Sequence, residues 1–259
     1  MKKWLEGLYS QLTDKGLTNP DKKPPSVPCG TCSSDLDFEW KSQGQFNYWV
    51  KKKCAVCDER KRAKKKNQRI SKTLKRAGVP PGLWGASLDS LYPIDSRNEE
   101  IARRVANWNS PSWLMSVGPV GTGKTTWLTS LFNQTILSHR KWDGSLWTTE
   151  SSLFERADVA HELGGYTARQ ASVAPYIRSP LLLLDDIGAS RRRLTEWQGS
   201  TMRNLFDVRY SNGLPTFMTS NIESPRELTS RYGSHVYSRI ASATGSVIRL
   251  LGEDRRLNG

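Results

Sequence analysis

Residues 113–126 read Trp113-Leu114-Met115-Ser116-Val117-Gly118-Pro119-Val120-Gly121-Thr122-Gly123-Lys124-Thr125-Thr126. From Gly118 to Thr125 the stretch fits GxxxxGKT, a loop that cradles phosphates, and its flanks supply the context that the motif requires. Trp113 to Val117 is a short, mostly apolar run of strand type. Beyond the loop, Trp127, Leu128, Leu131, Phe132 and Ile136 fall at helical spacing. In a strand–turn–helix of this kind the glycines turn successive N–H groups toward phosphate oxygens, and the helix N-terminus adds a favourable dipole. Lys124 is expected to reach the β- and γ-phosphates of ATP, and the Thr125 hydroxyl to ligate Mg²⁺. Gly118 through Thr126 form the expected nucleotide-binding set.

Downstream, the chain reads as alternating strands and helices, an α/β pattern with a parallel sheet. Gly144 to Thr149 is the second strand, followed by helices near Ser152–Leu163 and Tyr166–Ile177. Leu181-Leu182-Leu183-Leu184 has the unbroken apolar character of a strand buried on both faces. It delivers Asp185-Asp186, 61 residues after Lys124. A carboxylate at that strand end, beside the phosphate loop, is where Mg²⁺ is held. Asp185 is the expected metal-side ligand, and Asp186 the expected group to orient the attacking water. A helix near Glu196–Tyr210 leads to the strand Pro215–Asn221, which presents Asn221 to the water or the γ-phosphate. Arg231 to Ile240 looks helical, and Ser246 to Leu251 closes the sheet. Ahead of the loop strand, Ile101, Val105 and Trp108 fall at helical spacing.

The 259-residue chain carries a formal charge of +14, and nearly all of it sits in one place. Residues 1–50 balance six basic against six acidic side chains, whereas residues 51–76 hold thirteen against two. A focused patch of this kind is a footprint for a polyanion. Read as a helix from about Asp58, it predicts non-specific, salt-dependent contact with nucleic acid. A solvated helix that only keeps the chain soluble is the other reading.

The patch follows Cys29-Gly30-Thr31-Cys32 and Cys54-Ala55-Val56-Cys57, two pairs separated by 21 residues. Four thiolates in two chelating pairs suit tetrahedral Zn²⁺, and filling all four positions makes the site structural. Between the pairs Phe38, Trp40, Phe46, Tyr48 and Val50 alternate in part, as in a small hairpin. Paired cysteines of this kind point to a reducing, cytoplasmic setting. No apolar run approaches the ~20 residues that span a bilayer, and the N-terminus turns polar too soon for a signal peptide. Trp4, Leu5, Leu8 and Leu12 give residues 1–20 helical spacing, and Asp21 to Pro28 reads as an irregular linker. The expected organisation is an N-terminal helix and zinc module over 1–57, a basic helical linker over 58–83 and an ATPase domain over 84–259.

Taken together, these residues resemble helicase loaders of the DnaC/DnaI type, which are AAA+ ATPases, with the transposition ATPase IstB as a close cousin. The resemblance runs from about residue 78 to 256. It is carried by Gly78-Val79-Pro80-Pro81, Ala86-Ser87-Leu88-Asp89, the phosphate loop and Leu184-Asp185-Asp186-Ile187-Gly188-Ala189. Arg209-Tyr210, Leu214-Pro215-Thr216, Thr219-Ser220-Asn221, Ser238-Arg239 and Leu251 to Arg256 continue it.

The resemblance implies an AAA+ P-loop core with a parallel sheet, flanking helices and no C-terminal lid, preceded by the zinc module. It implies Asn221 as sensor 1 and Arg239 as an arginine finger acting on a neighbouring subunit, with Arg231 as the competing finger and a homo-oligomer as the working form. The implied activity is slow hydrolysis of ATP, stimulated by assembly or DNA, by a loader that binds single-stranded DNA and delivers or opens a hexameric replicative helicase. The N-terminal module would grip that helicase. An IstB/TnsC-like ATPase that assembles on duplex DNA and recruits a transposase is the alternative. A zinc-and-lysine nucleic-acid adaptor with a degenerate ATPase is a third.

Overall fold

The computed structural model describes the backbone of residues 2–44, 46–86, 113–189 and 193–250, without the side chains of residues 2–6, 8, 245 and 246. The expected helix through Ile101, Val105 and Trp108, the closing residues Leu251–Arg256 and the stretch Ser87-Leu88-Asp89 lie outside these residues, as do the side chains of Trp4 and Leu8. The chain divides into two compact units, Met1–Arg69 and Ile70–Gly259.

The first unit begins with helix α1 (Lys2–Asp14). Two short antiparallel pairs follow, β1 (Val27–Pro28) with β2 (Asp35–Leu36) and β3 (Phe38–Gln43) with β4 (Phe46–Lys51). The second pair is the expected hairpin. Its register sets Trp40 opposite Trp49, and their rings meet edge-on at 5.2 Å. Among the side chains described in this unit only Cys29 and Leu36 are buried apolar groups. So small a core leaves the cysteine cluster to hold the module together. Helix α2 (Ala55–Ala77) starts inside the second cysteine pair, three residues earlier than Asp58, and runs on into the second unit.

Five parallel strands form the sheet of the second unit: β5 (Trp113–Val117), β6 (Leu146–Thr149), β7 (Leu182–Ile187), β8 (Thr216–Ser220) and β9 (Thr244–Arg249). They lie in the order β6-β7-β8-β5-β9. The phosphate-loop strand β5 and the acidic strand β7 therefore flank β8, the strand that ends just before Asn221.

Alternate strand residues supply two cores, as a period of two demands. Leu114, Leu183 and Phe217 pack with helix α3 (Lys124–Ser138) and with Leu74, Ala77 and Val79. Met115, Leu182, Leu184 and Met218 pack on the other face. That face is covered by α4 (Glu150–Arg178), α5 (Glu196–Ser211), α6 (Pro225–Tyr232) and α7 (Ser234–Ala243).

Helix α4 breaks at Gly164 and Gly165, between the two helices read from sequence. The single helix expected over Arg231–Ile240 is instead two, because Gly233 takes a left-handed φ of 88° between α6 and α7. Arg209 of α5 is fully buried at the opposite end of the sheet from the phosphate loop. Its guanidinium donates to the carbonyls of Tyr176, Ser179 and Pro215 at 3.0, 2.9 and 2.6 Å and to the Thr216 hydroxyl at 2.8 Å. Burial lowers its pKa to about 9, which leaves it charged at neutral pH. It serves as a cationic cap on the end of α4.

Candidate functional site

The loop after β5 needs its glycines for two separate reasons. Gly118 has φ 148°, and a Cβ there would sit 2.1 Å from the Leu250 carbonyl oxygen. Gly123, at φ 88°, is the left-handed residue from which α3 starts. Lys124 is buried, and its ammonium donates to the carbonyls of Gly118 at 2.9 Å and Pro119 at 2.6 Å. The Thr122 hydroxyl donates to the Pro119 carbonyl at 3.0 Å and so braces the same turn.

Opposite this loop, the register of β7 against β8 slips between Leu184 and Ile187, giving a bulge that contains Asp185 and Asp186. Asp186 takes φ 56°, a left-handed conformation that aspartate tolerates better than most residues. Bulges beside active sites re-aim side chains. Here two consecutive carboxylates line the same cavity, although neighbours along a regular strand face opposite ways. Asp185 is 5% exposed, and burial raises its pKa against the opposing pull of the Thr219 and Thr125 hydroxyls. Thr125 Oγ1 donates to Asp185 Oδ1 at 2.9 Å. Asn221 Nδ2 donates to Asp186 Oδ1 at 3.0 Å.

Lys124, Thr125, Asp185, Asp186 and Asn221 thus line one cavity of about 800 Å³, which Val120, Gly121, Gly123 and Thr126 also border. Gly118, Pro119 and Thr122 stand behind it and support Lys124 and the turn. The paired oxygens of Thr125 and Asp185 are hard donors of the kind Mg²⁺ takes.

Arg239, half-exposed on α7, does not border this cavity. Its Nε lies 3.3 Å from Asp207 Oδ1, and its guanidinium lies over the Tyr210 ring at 4.7 Å. Arg231 is 10% exposed and pairs with the 4%-exposed Glu150 at 2.7 Å. Tyr232 also donates to Glu150, and so does the backbone N–H of Gly188, at 2.9 Å. Burial, followed by the Glu150 charge, pushes the Tyr232 hydroxyl well above its ordinary range. His235 holds Asp207 at 2.8 Å, on the outside of α7.

Sequence reasoning overlooked two features of this site. Thr219 donates to Asp185 Oδ1 at 2.5 Å and accepts the Asp186 N–H at 2.7 Å. Its signal was its place two residues before Asn221 in the segment read as one strand, a spacing that puts side chains on the same face of an extended chain. Leu83, from the short 3₁₀ turn Pro81–Leu83, also borders the cavity, and its carbonyl is held by Asn133 at 2.9 Å.

The sulfurs of Cys29, Cys32, Cys54 and Cys57 all lie within 4.8 Å of one another. Cys29 and Cys57 approach to 3.8 Å and Cys32 and Cys54 to 3.4 Å, close to the ~3.8 Å edge of a zinc–thiolate tetrahedron with ~2.3 Å bonds. Hydrogen bonding with Ser34 brings the Cys32 thiol down to about 6, while proton sharing with Cys32 pushes Cys57 up to about 12. Crowded thiols that share protons in this way form a metal-binding set. Among the described residues no helix is long and apolar enough to cross a membrane.

No protein-family model matches the chain, and no curated protein sequence does. Solved structures do. The DnaC helicase loader superposes on 66% of this chain and all of its own at 24% identity, with a TM-score of 0.55. DnaI superposes on 66% of this chain and 94% of its own at 23% identity, with a TM-score of 0.54. The replication initiator DnaA bound to AMPPCP and single-stranded DNA shares 18% identity over 67% of this chain and 51% of its own, with a TM-score of 0.52. The chain therefore combines the AAA+ fold of the DnaC and DnaI structures with a four-cysteine metal-binding module.

Proposed function

We propose that the chain is an ATP-dependent helicase loader, a slow ATPase that oligomerises, binds single-stranded DNA and delivers or opens a hexameric replicative helicase. The observation that carries this reading is the convergence of Lys124, Thr125, Asp185, Asp186 and Asn221 on one cavity, within a fold shared with a DnaC helicase loader. Support for the nucleotide and DNA comes from the likeness to a DnaA solved with AMPPCP and single-stranded DNA.

In this reading Lys124 leaves the carbonyls of Gly118 and Pro119 for the β- and γ-phosphates of ATP. Thr125 and Asp185 hold Mg²⁺, which when bound neutralises charge on the phosphate oxygens. Asp186, steadied by Asn221, orients the attacking water. Arg239 reaches the γ-phosphate of a neighbouring subunit, its role supported by exposure and by loose tethering to Asp207. Arg231 is committed to Glu150 inside its own subunit and positions α6. Residues 1–57 form the helicase grip, residues 58–83 the basic linker and residues 84–259 the motor.

The test is co-purification with the replicative helicase of the source cell, with and without ATP and single-stranded DNA. Nucleotide-dependent capture that Lys124→Ala abolishes is the expected result. Unchanged ATP affinity in Lys124→Ala removes the nucleotide assignment, and capture of a transposase on duplex DNA in place of the helicase removes the loader assignment.

A further inference from the structure

Helix α2 has an unusual middle. Every residue from Glu59 to Arg69 is exposed, so no side-chain packing supports the helix there. Seven of the ten residues from Arg60 to Arg69 are basic, and the one apolar side chain among them is Ala63. The pairs Arg60/Lys64, Lys61/Lys65, Arg62/Lys66 and Lys65/Arg69 stand one turn apart, and like charges at that spacing cost about 0.2–0.5 kcal/mol each. Helical propensity alone does not sustain so short a free-standing segment in water. Leu74 and Ala77 anchor the far end of α2 in the core of the second unit, which leaves its start to be fixed separately.

Cys54 fixes it. The residue precedes the first turn of α2, where its carbonyl accepts the N–H of Asp58 at 2.9 Å and its sulfur lies 3.4 Å from the N–H of Cys57. The same sulfur belongs to the four-cysteine cluster. A metal held by four thiolates carries net negative charge, and at a helix N-terminus such charge is favourable. Asp58 adds to it in the first turn. Cys54 thus joins the cysteine cluster to the start of the basic helix.

From these observations we infer that the Arg60–Arg69 segment of α2 is a sequence-independent binding element for the backbone of duplex nucleic acid, and that the metal at the cysteine cluster sets its affinity. The charge densities match. Seven cations over ~15 Å of helix axis give about one per 2 Å, and duplex DNA carries one anion per ~1.7 Å of its axis. A membrane surface fits worse, because the segment has none of the aromatic or long aliphatic side chains that anchor an interfacial helix. The duplex relieves the like-charge repulsion along α2, and the metal holds the helix ready for it. This inference concerns the first unit and does not rest on the ATPase reading.

The test uses the full chain, with fluorescence anisotropy on a ~25-base-pair duplex and on one of its strands across a range of salt concentrations. Replacing Lys61, Lys65 and Arg69 by glutamine keeps helical propensity and removes one stripe of charge. The triple variant is expected to bind the duplex about tenfold more weakly, with a log–log salt slope shallower by about 2.7, and to lose clearly less on the single strand. Stripping the metal with a chelator is expected to give a similar duplex loss, together with faster amide exchange over residues 55–69. Nucleotide uptake at Lys124 is expected to survive both changes, which separates this outcome from any failure of the ATPase site. Unchanged duplex affinity in either arm, an equal loss on the single strand, or tighter binding to phosphatidylserine vesicles than to the duplex overturns the inference.

Discussion

Thr219 Oγ1 lies 2.5 Å from Asp185 Oδ1 and accepts the N–H of Asp186 at 2.7 Å, so one hydroxyl ties β8 to both acidic residues of the β7 bulge. Thr219→Val keeps the shape and removes the bond. The Asp186 N–H is then left without this acceptor, at a cost of about 1–3 kcal/mol. Nucleotide affinity is expected to fall only a few-fold, while turnover falls about tenfold to a hundredfold as the carboxylates drift. Thr219→Ser is expected to recover turnover. Measuring Kd and kcat for the three proteins checks this, and equal turnover in Thr219→Val refutes it.

Asp185 is a buried carboxylate whose ionised form burial penalises. Its pKa in the folded chain lies above the unfolded value of 3.8, so above the folded pKa the ionised group subtracts from stability. Asp185→Asn keeps an oxygen for the Thr125 and Thr219 hydroxyls and removes the charge. The nucleotide-free variant is expected to melt higher at neutral pH, by about 2–4 °C for each kcal/mol relieved. The gap closes as pH falls through the folded pKa toward 3.8. Mg²⁺-dependent nucleotide binding is expected to be lost. Thermal melts across pH and a magnesium titration read the two effects separately.

Arg231 and Arg239 are separable by the same logic. Arg231→Ala leaves Glu150 buried without its cation and is expected to cost about 3–5 kcal/mol. Arg239→Ala breaks only a partly exposed pair with Asp207 and is expected to change stability by no more than about 1 kcal/mol. Mixing Arg239→Ala with Lys124→Ala subunits is expected to restore hydrolysis, since each supplies the group that the other lacks. Failure of the mixture to exceed either variant alone removes Arg239 from a role in trans.

Arg209 offers a stability test at the end of the sheet away from the cavity. Its fork serves three carbonyls from two segments at once, a geometry that an ammonium does not reproduce. Arg209→Lys is expected to lower stability by about 2–4 kcal/mol, because several buried acceptors lose a donor. Nucleotide affinity measured below the melting transition is expected to stay unchanged.

What the sequence made legible was local. The phosphate loop, the apolar strand before Asp185 and the paired cysteines are patterns whose chemistry lies within a few residues. The left-handed bulge at Asp186 was not legible, because it arises from a register slip against β8. The cluster of Glu150, Arg231, Tyr232 and Gly188 brings together three segments spread over some eighty positions, and no spacing announces it. Arg209 entered the sequence reading only as part of the resemblance; the fold shows it buried and ringed by backbone oxygens. The break at Gly233 was written in the sequence, yet helical spacing on both sides of it concealed the turn.

The ammonium of Lys124 sits inside the turn, where it donates to the Gly118 and Pro119 carbonyls. The loop is therefore braced around its own cation. Under the proposed function, a triphosphate would not have to organise a slack chain; it would compete with these carbonyls for the Lys124 charge. Recognition would then be an exchange of one set of oxygens for another, with the entropic cost of shaping the loop already met in folding.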